Sequence, residues 1–143
     1  MKDAFGGIVN IVLVAIFLVI ISGILGLVVN YTKAFRMKNV VISTIEQYEG
    51  ASGCFDESGG CAQRIIEKSK TFGYHPTNLD GSCRRNGYEP AYNLFCYKKN
   101  DSDSGRKYIF TVVTQVDIDI PIINRIMGLS IFQVHGDTRA IRK

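Results

Sequence analysis

Tryptophan is absent from this chain, histidine occurs twice and proline three times among 143 residues. Two histidines, His75 and His135, and four cysteines with no C-x2-C pair leave no structural zinc knuckle and no thiol-oxidoreductase motif. Neither histidine has a cysteine or carboxylate at a catalytic spacing. Gly6-Gly7 and Gly59-Gly60 lack the following Lys-Ser/Thr, or the G-x-G-x-x-G context, of a phosphate loop. Asp117 and Asp119 are i,i+2 carboxylates at the end of an expected strand and read as solvated residues. Basic residues outnumber acidic ones by a formal charge of +4, but as scattered pairs: Arg84-Arg85, Lys98-Lys99 and Arg106-Lys107. A nucleic-acid footprint is a contiguous basic face. These absences predict a protein that is not an enzyme, with no cofactor, no metal, no small-molecule substrate and no nucleic-acid partner.

The most consequential absence is of charge between Ile8 and Val29, where only Asn10 and Ser22 interrupt apolar and small residues. At 1.5 Å per residue that run makes about 33 Å of helix, close to the roughly 30 Å hydrocarbon core of a bilayer. It is longer than a secretory h-region and no Ala-x-Ala-like boundary follows it, so retention as an anchor is expected over cleavage. Residues 1–30 are thus a transmembrane segment whose partner is the lipid bilayer. Asn10 could donate to a neighbouring helix, and Ser22 with Gly26 forms a small-xxx-small pair that, with Gly23, lets another helix approach. Asn10, Ser22, Gly23 and Gly26 are the candidate helix–helix assembly residues, with further copies of the chain or related subunits as partners.

No proline or glycine falls between Tyr31 and Glu49. Ala34, Met37, Val41, Ile45 and Tyr48 recur at intervals of three and four, an apolar stripe on a helix whose other faces carry Lys33, Arg36, Lys38, Asn39, Ser43, Glu46 and Gln47. Residues 31–50 therefore continue the anchor as one helix of about 42 residues, roughly 63 Å long, with Gly50 expected as its left-handed terminator. The stripe is too short for the sustained heptads of a coiled coil and needs another cover.

Residues 51–143 read as one small globular domain. A short helix is expected over Cys61–Lys70, with Gly73 as terminator, and irregular chain to about Ala91. The period then becomes two. One strand is expected over Tyr92–Tyr97, a turn over Asn100–Gly105, and a second strand placing Tyr108, Phe110, Val112, Thr114, Val116, Ile118 and Ile120 opposite Lys107, Thr111, Gln115, Asp117 and Asp119. Pro121 ends that strand. A last one alternates Phe132, Val134, Gly136, Thr138 and Ala140 with Gln133, His135, Asp137 and Arg139. The tyrosines from Tyr88 to Tyr97 read as half-buried strand residues rather than a contact surface. Three antiparallel strands with one apolar face need a cover, and the helical stripe supplies it. The predicted fold is α+β, a long N-terminal helix on a small antiparallel sheet, with Met37, Val41, Ile45 and Tyr48 packed on Phe110, Val112 and Val116.

Cys54, Cys61, Cys83 and Cys96 all follow the anchor, spaced C-x6-C and C-x12-C. An even number in a small domain beyond a membrane segment points to two disulfides in an oxidising compartment. Three pairings are open; Cys54 with Cys61 and Cys83 with Cys96 is favoured because each closes a loop rich in Gly, Ser or Asn. A literal positive-inside count over Lys33, Arg36 and Lys38 would put the domain in the cytoplasm. The cysteines place it outside, and that placement is adopted.

The span IVNIVLVAIFLVIISGILGLVV, its continuation YTKAFRMKNVVISTIEQ and the terminal pattern VTQVDIDIPIINRIMGLSIFQVHGDTRAI resemble type IV pilins and pseudopilins. Within that group they are most similar to tight-adherence (TadE-like) minor pseudopilins. The resemblance covers both ends, about half the chain; the cysteine-bearing middle does not contribute to it. It implies a structural subunit of a bacterial cell-surface filament or envelope apparatus, assembled through the N-terminal helix. One departure stands out: such chains carry a Glu five residues after a processed glycine, whereas here Val12 is fifth after Gly7 and the span has no acid. The other readings are a permanently anchored accessory protein that recognises a partner, and an anchored enzyme, for which the C-x-x-C pair is missing.

Overall fold

The computed structural model describes residues 2–77, 79–101, 105–117 and 131–142. The expected continuation of the long strand through Ile118, Asp119 and Ile120 to Pro121, the IINRIMG segment and the middle of the expected 100–105 turn lie outside them.

Helix α1 (Lys2–Gln47) runs unbroken for 46 residues, about 69 Å. Among the described residues, no position of its apolar window is buried. Its second half buries Ala34, Met37, Val41 and Ile45 completely, in one core with Phe110, Val112, Val116, Val134 and Ile141. The long helix packed on a small antiparallel sheet is the α+β plan expected above.

The end of α1 corrects two expectations. The N–H of Gly50 bonds to the Ile45 carbonyl at 2.9 Å and that of Glu49 to Glu46 at 3.2 Å, a Schellman closure. Glu49, at φ 51°, is therefore the left-handed terminator, and Gly50 follows it at φ 67°. The stripe also stops short of Tyr48, which sits in the turn and is 40% exposed. Thr44 is buried in its stead, its hydroxyl donated to the Val40 carbonyl at 2.7 Å.

A 3-10 turn at Ser52–Cys54 leads into helix α2 (Gly60–Phe72), which packs on α1 through Ile65 and Ile66. Helix α3 (Leu79–Arg85) was expected as irregular chain. Seven residues with a glycine, Gly81, in the first turn carry too little period to be read. The sheet consists of β1 (Glu89–Ala91), β2 (Phe95–Asp101), β3 (Lys107–Asp117), β4 (Ile131–Asp137) and β5 (Ile141–Arg142), all antiparallel, with β3 at its centre.

Two expected strands are interrupted. The expected Tyr92–Tyr97 strand forms only from Phe95, and before it stands a hairpin corner: Tyr92 at φ 32° and Asn93 at φ 57° form a turn left-handed at both central residues, closed by Leu94 N–H to the Ala91 carbonyl. The closing strand breaks after Asp137. There the Thr138 hydroxyl accepts the Phe110 N–H at 3.0 Å, in place of a ladder carbonyl, and Glu46 captures the Arg139 N–H at 2.8 Å.

The sheet is also covered on both faces rather than one. Val113 and Cys96, paired across β2 and β3, pack with Leu79 and Cys83 of α3 in a second, smaller core. Accordingly Val112 to Val116 are all buried, including Gln115, which alternation assigns to the polar side. The two disulfides, Cys54–Cys61 and Cys83–Cys96, serve different layers. The first ties the 3-10 turn to α2, and the second holds α3 against β2.

Candidate membrane anchor and assembly surface

Residues seven or eleven apart lie nearly in line on an α-helix. Gly23, Asn30 and Met37 are such a series, as are Gly26 and Met37 or Asn30 and Val41. The small-residue face of the span is thus continuous with the face that carries the domain. Leu18, Val19, Ser22, Gly23 and Gly26 line one shallow groove on it. The Ser22 hydroxyl donates to the Leu18 carbonyl of its own helix at 2.8 Å. Back-bonded in this way, Ser22 needs no partner to sit in hydrocarbon, so the groove offers close approach rather than an interhelical hydrogen bond. Asn10 lies exposed, twelve residues before Ser22 and outside this groove. The structure therefore brings together three of the four candidate assembly residues and leaves Asn10 apart.

Where the span meets the domain, a polar lock joins three segments. Asn30 Nδ2 donates to the Asp117 carbonyl at 3.0 Å, and Thr114 Oγ1 to the Ala34 carbonyl at 3.0 Å. The Asp117 carboxylate, read from sequence as solvated, accepts the Thr77 N–H, the Thr77 hydroxyl at 2.8 Å and Gln115 Nε2 at 2.9 Å. The Tyr74 hydroxyl accepts the Gln115 N–H at 2.9 Å and donates to the Gln115 carbonyl at 3.0 Å. Burial raises the Tyr74 phenol far above its usual range, so it stays a neutral donor and acceptor. No sequence signal reveals this lock, because its partners lie about 40 and 87 residues apart. It ties α1 to β3, and β3 to Tyr74 and Thr77, where the bare half of the helix begins.

Of the predicted packing residues, Met37, Val41, Ile45, Phe110, Val112 and Val116 share the main core, and Tyr48 lies outside it. Aromatic rings close the end of that core beside the first disulfide. Phe55 stacks on Tyr97 at 4.2 Å and lies 4.8 Å from Phe110, while Tyr92 donates its hydroxyl to the Cys54 carbonyl at 2.7 Å. Burial raises the Tyr92 phenol strongly, and burial with the Glu89 carboxylate beside it pushes Tyr97 up to about 12. Among the described residues no three His, Cys, Asp or Glu side chains gather as metal ligands would. His75 is exposed after α2, and His135 lies exposed on β4 against the edge of Tyr88.

Among the described residues, α1 thus presents a bare apolar half long enough to cross a membrane, and a cystine-braced domain is built on its other half. Comparison with family models, with curated proteins and with solved structures returns no match to this chain.

Proposed function

We propose that this protein is a non-enzymatic, pilin-like structural subunit of a bacterial cell-surface filament or envelope apparatus, anchored by a single span with its domain outside the cytoplasm. The observation that carries the reading is the division of α1. One continuous helix leaves its first half bare and apolar while its second half is consumed in the core of the domain. A bare rod of this composition is stable only in lipid or against like rods. The same surface therefore suits storage in the bilayer and lateral packing with copies of itself. Two disulfides support an oxidising compartment for the domain.

Shearing of expressing cells tests the assembly step. Recovery of the chain in sheared, sedimentable polymers supports it, and a pool that stays wholly in the membrane overturns it. In a membrane two-hybrid assay Gly26→Leu, which fills the groove, should weaken self-association; an unchanged signal removes the groove from the interface. The second reading, a permanently anchored accessory protein, draws on the span's lack of any acid and on Val12. The membrane-only outcome of the shear experiment favours it.

A further inference from the structure

We infer that the segment of α1 from Tyr31 to Lys38 is a headgroup clamp that binds anionic phospholipid and sets the height of the domain above the bilayer. The inference rests on the reading of α1 as a membrane anchor. If Ile8 to Val29 fill the hydrocarbon, Tyr31, Lys33, Phe35, Arg36 and Lys38 rise from about 3 to about 14 Å above its edge, counted at 1.5 Å per residue. The headgroup layer occupies about the first 5–8 Å of that distance. Side chains of a helix lean toward its N-terminus, here toward the membrane, so each cation is delivered lower than its Cα. Lys38 shows this directly: its Nζ lies 4.2 Å from the ring centroid of Phe35, almost one turn below.

Three further observations fit lipid. Tyr31 and Phe35 are 48% and 41% exposed on a flank of α1 beside the core stripe, with rings stacked 6.4 Å apart. Aromatics lodged in this way are favoured at the headgroup boundary, and this chain has no tryptophan to fill that place. Between Asp3 and Glu46 the helix carries no acidic residue, and among the described residues no carboxylate pairs with Lys33, Arg36 or Lys38. The nearest described carboxylate on the lock, Asp117, is occupied by Thr77 and Gln115. Lys33 reaches toward Gly73 and the Lys38 stem lies against Gly136, so the two amines flank the domain's attachment line rather than enter the core. The lock through Asn30 and Thr114 makes the domain follow whatever depth these residues choose.

The experiment uses the full chain in nanodiscs of phosphatidylcholine with about one-third phosphatidylglycerol, released stepwise into detergent, with retained lipid identified by native mass spectrometry. The ratio of phosphatidylglycerol to phosphatidylcholine in the retained lipid should be about five times the input ratio, the effect of one fully engaged cation. The Lys33→Gln, Arg36→Gln, Lys38→Gln triple variant should return it to the input ratio, while Lys33→Arg with Lys38→Arg retains it. Near-ultraviolet circular dichroism of each variant reports whether the domain is folded. Enrichment absent from the parent chain, or undiminished in a folded triple variant, overturns the clamp. A parent chain that does not float with pure phosphatidylcholine vesicles overturns the anchor reading, and the clamp with it.

Discussion

Gly50→Ala probes the point where α1 is handed to the sheet. Gly50 has φ 67°, a conformation that costs an L side chain about 1–2 kcal/mol. A Cβ there would stand 2.6 Å from Phe110 Cε2 and 3.1 Å from Tyr108 Cε2. Phe110 cannot swing aside: Phe55 lies 4.8 Å from its centroid, Tyr108 at 5.4 Å and Tyr97 at 6.5 Å. Overpacking of this kind costs about 1–3 kcal/mol. Alanine recovers roughly 0.5–1 kcal/mol by restricting the unfolded chain. The net loss is about 3 kcal/mol, a fall in Tm of about 12 °C for a domain of this size. Glu49→Gly, one residue earlier and also left-handed, removes strain without adding an atom and should gain about 0.5–1 kcal/mol. Thermal unfolding of the full chain in detergent, followed by near-ultraviolet circular dichroism, reads both, since seven tyrosines and no tryptophan supply the signal. A Gly50→Ala chain within about 1 °C of the parent would refute the close seating of the turn on Phe110.

Three further outcomes are expected. Replacing both cysteines by alanine at Cys83 and Cys96, which span 13 positions, should cost about 3 kcal/mol, and at Cys54 and Cys61, which span 7, about 2.5 kcal/mol, in denaturant titrations. The first pair should also speed hydrogen exchange in α3 selectively, since that bond holds α3 to β2. Asn93→Gly, at φ 57° in the exposed hairpin corner, should stabilise by about 0.5–1 kcal/mol in the same titrations. Alkaline pH should destabilise the domain with a definite onset. Tyr74, Tyr92 and Tyr97 titrate above their ordinary value of 10 when folded, so the unfolded chain releases protons first. Stability is therefore flat below about pH 10 and falls as pH climbs through 10 toward 12 and beyond. Denaturant midpoints from pH 8 to 11.5 measure this, and Tyr74→Phe should make the fall shallower.

What could be read from the residues was what repeats locally. The charge-free run, the three-and-four spacing of Ala34, Met37, Val41 and Ile45, and the two-residue period of Phe110, Val112 and Val116 each report their own element. Placing the helix on the sheet followed from two exposed apolar faces needing each other. The features missed depend on partners distant in sequence. Alternation makes Gln115 polar surface, yet it is buried, bonded to Tyr74 and the Thr77 carbonyl. Tyr92 and Asn93 alternate like strand residues, and only their backbone angles reveal a corner. Thr138 continues a strand pattern until its side chain takes over a ladder bond. The groove at Ser22, Gly23 and Gly26 was visible as small residues, but its alignment with the domain's attachment face required the helix to be seen unbroken.

The topology is tested most directly by labelling intact spheroplasts with a membrane-impermeant thiol reagent, before and after mild reduction, and weighing the recovered chain. Expected are no labels before reduction and four after it, with the membrane never breached. Labels that attach without reductant, and only once the membrane is opened, would put the cysteines reduced in the cytoplasm and contradict an exterior, cystine-braced domain.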